Sequence, residues 1–81
     1  MKIEILGMGC ARCKTLEEQV QRALKELNVE AQVEKVADLD KISAYGVLMT
    51  PGLVINGEVR SSGKLPSMAT LKEWIEGESK K

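Results

Sequence analysis

The 81-residue chain contains no histidine and no phenylalanine, one tyrosine, one tryptophan, two prolines and two cysteines. Each scarcity excludes something. Tetrahedral zinc takes four ligands, and two cysteines without a histidine are a poor start for such a site. A formal net charge of zero, with Tyr45 and Trp74 as the whole aromatic complement, removes both the basic surface and the stacking platforms of a nucleic-acid binder. No run approaches the roughly 20 apolar residues of a membrane span. The opening apolar stretch is too short for a signal peptide and is interrupted by Glu4. The expectation is therefore a cytoplasmic protein without nucleic-acid or membrane partners.

What remains is globular: 43% hydrophobic and 30% charged residues, in a length that builds a single small core. The sequence carries no repeat, linker or low-complexity segment. It reads as one domain over residues 1–77 with a polar tail at 78–81.

Both cysteines fall in Gly7-Met8-Gly9-Cys10-Ala11-Arg12-Cys13. Two thiols two residues apart suit reversible disulfide exchange, soft-metal binding or plain packing. A structural bridge is the weaker reading, because so small a loop restrains the unfolded chain little and reducing compartments disfavour it. Met8 is expected to pack over the loop as an ordinary apolar residue.

The motif sits between two regular patterns. Residues 2–6 alternate and are rich in isoleucine, which predicts a strand. From Ala11 onward Leu16, Val20, Ala23, Leu24 and Leu27 recur at helical spacing and Asn28 is a natural stop. Residues 29–36 alternate again and predict a second strand. Asp38 can cap a short helix through Leu39, Ile42 and Tyr45 that Gly46 ends. A third strand starts at or after Pro51, since proline cannot donate to a ladder. Asn56-Gly57 predicts a hairpin into a fourth strand. Ser67 caps a last helix carrying Met68, Leu71, Trp74 and Ile75, with Gly77 as its expected end. The predicted fold is α/β, of order βαβαββα: a mixed four-stranded sheet with helices on both faces. Helices between the first three strands imply two parallel crossovers, with the hairpin strand antiparallel.

Cys10 at the start of a helix would meet unpaired amides and the positive end of the dipole, which favour thiolate. Cys10 is thus the expected nucleophile and Cys13, one turn on, the resolving thiol. Arg12 and Lys14 add positive charge, and Ala11-Arg12 is the expected tuning element. Pro51 is expected to be cis, which would turn the Thr50 backbone towards the cysteines to receive a peptide as an added strand.

With Cys10-Ala11-Arg12-Cys13 after an Ile-rich strand, Thr50-Pro51 opening the third, the Asn56-Gly57 hairpin and a closing helix with Trp74, the chain resembles the thioredoxin superfamily. It is most similar to the small, glutaredoxin-sized redox-active disulfide proteins of prokaryotes. The resemblance implies a minimal thioredoxin-like fold and a thiol-disulfide oxidoreductase that exchanges the Cys10-Cys13 couple with protein disulfides. No cofactor or metal beyond that couple is implied. A monomer recharged by a thioredoxin-reductase-like donor is the expected setting. The family's buried acid, which would assist proton transfer to Cys13, falls on Glu4, six residues before Cys10; a partly solvated strand residue is the favoured reading of Glu4. Two departures stand out: Ala11-Arg12 replaces Gly-Pro, and no tryptophan precedes Cys10. The competing resemblance is to the Gly-Met-x-Cys-x-x-Cys loop of heavy-metal-associated domains, which hold Cu(I) between two thiolates. Those domains end on a strand, whereas this chain is expected to end on a helix.

Overall fold

A computed structural model describes residues 1–9 and 11–80. Its elements follow the order β1 (Lys2–Leu6), α1 (Ala11–Leu27), β2 (Gln32–Val36), α2 (Leu39–Ala44), β3 (Gly52–Ile55), β4 (Glu58–Ser62) and α3 (Met68–Ser79). Four strands form one sheet in the spatial order β2-β1-β3-β4.

Alternation along β1 divides the interior. Ile3 and Ile5 join Leu53 and Ile55 of β3 in the larger core, which Leu16, Val20, Ala23 and Leu24 of α1 and Leu71 and Ile75 of α3 cover. Leu6 and Val54 face the other way, with Val36, Ile42 and Val47, so α2 closes the second face. Helices therefore lie on both faces, as the pattern predicts. The wider face takes the 17-residue α1, whose length of about 25 Å spans the sheet.

Helix ends follow local chemistry. Asp38 accepts from the Asp40 amide at 2.9 Å, and Ser67 accepts from the Thr70 amide at 3.2 Å. α1 stops where Asn28 takes a positive φ of 55°. There the Val29 amide turns back to the Leu24 carbonyl and the Asn28 amide to the Lys25 carbonyl, closing a Schellman motif. α2 ends the same way through Gly46 (φ 77°), with Val47 bonded to Ile42 and Gly46 to Ser43.

Three expectations about the secondary-structure elements need correction. β2 begins at Gln32 rather than near residue 29, because the Val29 amide is used in capping α1. Only β1 and β2 run parallel; β3 is antiparallel to β1, with Leu6 opposite Gly52 and Ile3 opposite Ile55. The physical reason is reach. A six-residue α2 rises about 9 Å, less than the roughly 16 Å length of a five-residue strand. The segment leaving β2 accordingly re-enters the sheet at the end where β2 finished.

The third correction concerns the C-terminus. α3 passes through Gly77 to Ser79, and Glu78, assigned by the sequence pattern to a polar tail, is only 8% exposed. Its carboxylate accepts from Arg60 at 2.6 Å and from the Asn56 side chain at 3.2 Å. Arg60 is available because β4 bulges there: Leu53 pairs with Ser61 and Val54 with Val59, leaving Arg60 without a partner in the register. Asn56 is tied in turn to β1, where the Lys2 amide donates to its side-chain oxygen.

On the α2 face, Glu4 is 8% exposed rather than partly solvated, and Tyr45 donates its hydroxyl to the Glu4 carboxylate at 2.7 Å. The hydrogen bond to Glu4 raises the Tyr45 pKa above 10, with desolvation and the charges of Glu4 and Glu34 acting in the same direction.

Two outcomes follow from these contacts. Replacing Glu78 by Ala removes the buried anion of the half-buried Arg60 and leaves it only the exposed Glu58 carboxylate, 3.1 Å away; it is expected to lower the unfolding free energy by about 1–3 kcal/mol in urea titration. A frayed tail would show no change. Because folded Tyr45 holds its proton more tightly than the unfolded chain does, its contribution is complete below pH about 10 and is lost as pH rises through the folded pKa. Stability profiles should therefore show an alkaline decline that Tyr45→Phe diminishes; identical profiles above pH 10 would contradict the assignment.

Candidate functional site

Strand directions decide what meets at the site. β1, β2 and β4 finish at the sheet edge where β3 begins, since Leu6 aligns with Val36 and Gly52, and Gly52 with Ser62. The cysteine turn, the exit from β2, the Thr50-Pro51 segment and the loop at Gly63 are consequently neighbours. Antiparallel β3 is what brings Thr50-Pro51 to this edge.

Gly7 is the meeting point. Its amide donates to the Val36 carbonyl at 2.9 Å, which extends the parallel ladder by one residue. A Cβ at Gly7 would overlap Cys13 Sγ and would come within 3.7 Å of Thr50 Cβ. The absence of a side chain is thus what lets the sulfur rest on the end of β1 beside Thr50. Cys13 lies in the first turn of α1 and is 6% exposed. The Thr50-Pro51 peptide is cis, as expected from the sequence, and Pro51 is fully buried.

Arg12, exposed in the first turn of α1, donates to the Gly63 carbonyl at 3.2 Å. Gly63, at φ 73°, donates its amide to the Pro51 carbonyl at 2.9 Å. The Ser62 hydroxyl donates to the Met49 carbonyl at 3.3 Å. A Cβ on Gly63 would stand 2.8 Å from that of Met49, so glycine permits the close approach as well as the conformation. These bonds tie the cysteine turn, the Pro51 segment and the β4–α3 loop together. Around them Leu48 is 94% exposed, Met49 66% and Met8 62%. Met8 does not pack over the loop as the sequence suggests.

The remaining site expectations divide as follows. Cys10, the expected nucleophile, lies outside the described residues. Ala11 is the exposed first residue of α1, and Lys14 is exposed on the same helix. Lys14, Cys13, Gly7 and Gly9 border a small cleft with Ile5, Glu17 and Lys35. Glu4 alternates with Ile3 and Ile5, and its hydrogen bond to Tyr45 directs it towards α2, on the sheet face opposite α1. Among the described residues no group of three or more His, Cys, Asp or Glu is placed to hold a metal. Nor does the chain end on a strand, as the heavy-metal-associated fold requires; α3 closes it.

Sequence reasoning missed three participants. Gly7 appears in the sequence only as the first residue of the cysteine motif, and its pairing with Cys13 has no local signature. Arg12 was read as charge rather than as a tether to Gly63. Tyr45 was read as a helix residue, whereas its hydroxyl serves a strand 41 residues earlier.

Comparison with known proteins agrees with this geometry. The thioredoxin domain family matches residues 1–76. A thioredoxin of Methanothermobacter thermautotrophicus is 40% identical, over 93% of this chain and 97% of its own. A thioredoxin of Methanocaldococcus jannaschii is 36% identical, over 90% and 84%. A probable thioredoxin of Methanothermobacter marburgensis is 35% identical, over 96% and 95%. With its fold and this near-complete coverage, the chain belongs to the thioredoxin family of thiol-disulfide oxidoreductases.

Proposed function

We propose that the protein exchanges disulfides with other polypeptides through Cys10 and Cys13, the dithiol itself being the only redox group. Cys10 thiolate attacks a substrate disulfide, forms a mixed disulfide and expels one substrate thiolate. Cys13 thiolate then attacks the Cys10 sulfur, forming the Cys10-Cys13 bond and releasing the second substrate thiol. The substrate gains two electrons and two protons; the protein loses them and is recharged by a reductase of the thioredoxin-reductase class.

The observation that carries this reading is the meeting of Cys13, Gly7 and Thr50 at one sheet edge, next to Pro51. A buried resolving thiol is shielded from adventitious oxidants and from direct attack on substrate, which suits the second step better than the first. Covalent sequence puts Cys10 immediately before Ala11, the first residue of α1, where helix amides favour an anion. Exposed Leu48, Met49 and Met8 offer an apolar landing for a substrate chain, and Thr50 offers backbone groups for it to pair with. The proposed setting is a monomer in the cytoplasm. Among the described residues no helix is long and apolar enough to cross a membrane.

Cys10→Ser is expected to abolish reduction of a protein disulfide, and Cys13→Ser to accumulate a mixed disulfide visible by mass spectrometry. Parent-like turnover in both variants would overturn the mechanism. Alkylation of Cys10 against pH is expected to show a midpoint below the ordinary thiol value of about 8.5. A midpoint at or above that value would rule out activation by the helix terminus.

A further inference from the structure

The second step of the proposed cycle needs a place for the Cys13 proton, and the structure offers one away from Glu4. Cys13 and Glu17 are one helical turn apart on α1, a spacing that puts side chains about 5–6 Å from each other at Cβ. Both line the cleft between α1 and the ends of β1 and β2, together with Ile5, Gly7, Lys14 and Lys35. The cleft holds about 50 Å³. One water takes about 30 Å³ of liquid volume, so the cleft has room for a water beside the sulfur.

That rim is built. The Glu17 carboxylate is mostly covered and lies 3.4 Å from the Lys35 ammonium, which reaches across from β2. Lys14 supplies a second cation from α1. Glu4 by contrast is engaged by Tyr45 beneath the opposite face of the sheet.

We infer that Glu17, fixed by Lys35, is the proton acceptor for Cys13, acting through a water in this cleft. The inference rests on the two-thiol cycle proposed above. As the Cys13 sulfur attacks the Cys10 sulfur, its S–H bond breaks and the proton passes through the water to the Glu17 carboxylate. The substrate sulfur leaves with the electron pair of the broken disulfide and is protonated afterwards. Glu17, whose side chain is about a quarter exposed, then returns its proton to solvent. Among the described residues lining the cleft, the charged groups are Lys14 and Glu17 from α1 and Lys35 from β2, and β1 contributes the apolar Ile5. Both cations favour the thiolate as it forms, and Glu17 gives its proton a destination.

The test separates the two steps. Dithionitrobenzoate reacts with the reduced protein in two phases, each releasing one coloured thiolate: the first by attack of Cys10, the second by attack of Cys13 on the mixed disulfide. Glu17→Gln is expected to leave the first phase unchanged and slow the second at least about tenfold at pH 7, the lower side of general-base effects. The deficit should close at alkaline pH, where Cys13 ionises without help, and Glu17→Asp should restore part of the neutral rate. A purely structural role for Glu17 would give a deficit that does not depend on pH. A second phase at the parent rate across pH, or a pH-independent slowing of both phases, overturns the inference. If Glu4→Gln slows the second phase while Glu17→Gln does not, the acceptor is on β1 instead. In Cys13→Ser a single phase is required; two phases there would refute the two-thiol cycle itself rather than the role of Glu17.

Discussion

The contact between Cys13 sulfur and the bare backbone of Gly7 sets the geometry of the working edge. It fixes how closely the first turn of α1 can approach the end of β1, and any side chain at Gly7 would force them apart. Closeness here has consequences in several directions. It buries the Cys13 thiol, places it near Thr50, and lets Arg12, in the same turn of α1, reach Gly63. A glycine that pairs through its amide with Val36 while presenting no Cβ to the sulfur serves sheet and site together.

The interior is arranged to hold that contact steady. α1 and α3 clamp one face of the sheet, and ion pairing of Lys72 with Glu26 at 2.6 Å joins the two helices on the outside. α2 covers the other face and carries Tyr45 to Glu4. At the far end of β1, Asn56 links the Lys2 amide to Glu78, and Glu78 holds Arg60. The central strand is thereby gripped at both ends. The chemistry sits at the end where four chain segments converge, while the other end is committed to anchoring the terminal helix.

Much of this was legible because it is local. Apolar spacing located α1 and α3, Asp38 and Ser67 marked helix starts, Asn28 and Gly46 marked stops, and Asn56-Gly57 specified the hairpin. Each of those signals acts within a few residues of itself. The parts that were not legible depend on partners distant in sequence. The direction of β3 is decided by how far a short α2 can carry the chain, a length argument that strand and helix periodicities do not contain. Gly77 weakens a helix by about 1 kcal/mol relative to alanine, yet α3 continues because Glu78, one residue later, meets Arg60 and Asn56. The burial of Glu4 follows from a tyrosine on α2 that no spacing rule connects to β1. For the candidate site, the residue types at Cys10, Cys13 and Pro51 stand out in the sequence, whereas Gly7, Glu17 and Lys35 have ordinary local patterns and come together with Cys13 only where α1 lies across the strands.

The bulge at Arg60 has one more effect. β2 and β4 are the outer strands, and an outer strand with regular spacing invites a neighbour's backbone to continue the sheet. β2 carries Gln32, Glu34 and Lys35 along its length, a polar fringe with two charges that is unfriendly to another strand. On β4 the extra residue breaks the regular repeat of the ladder and turns a cation inward to Glu78. Both flanks are therefore guarded against unwanted lateral association, so the sheet does not offer its sides as templates for aggregation.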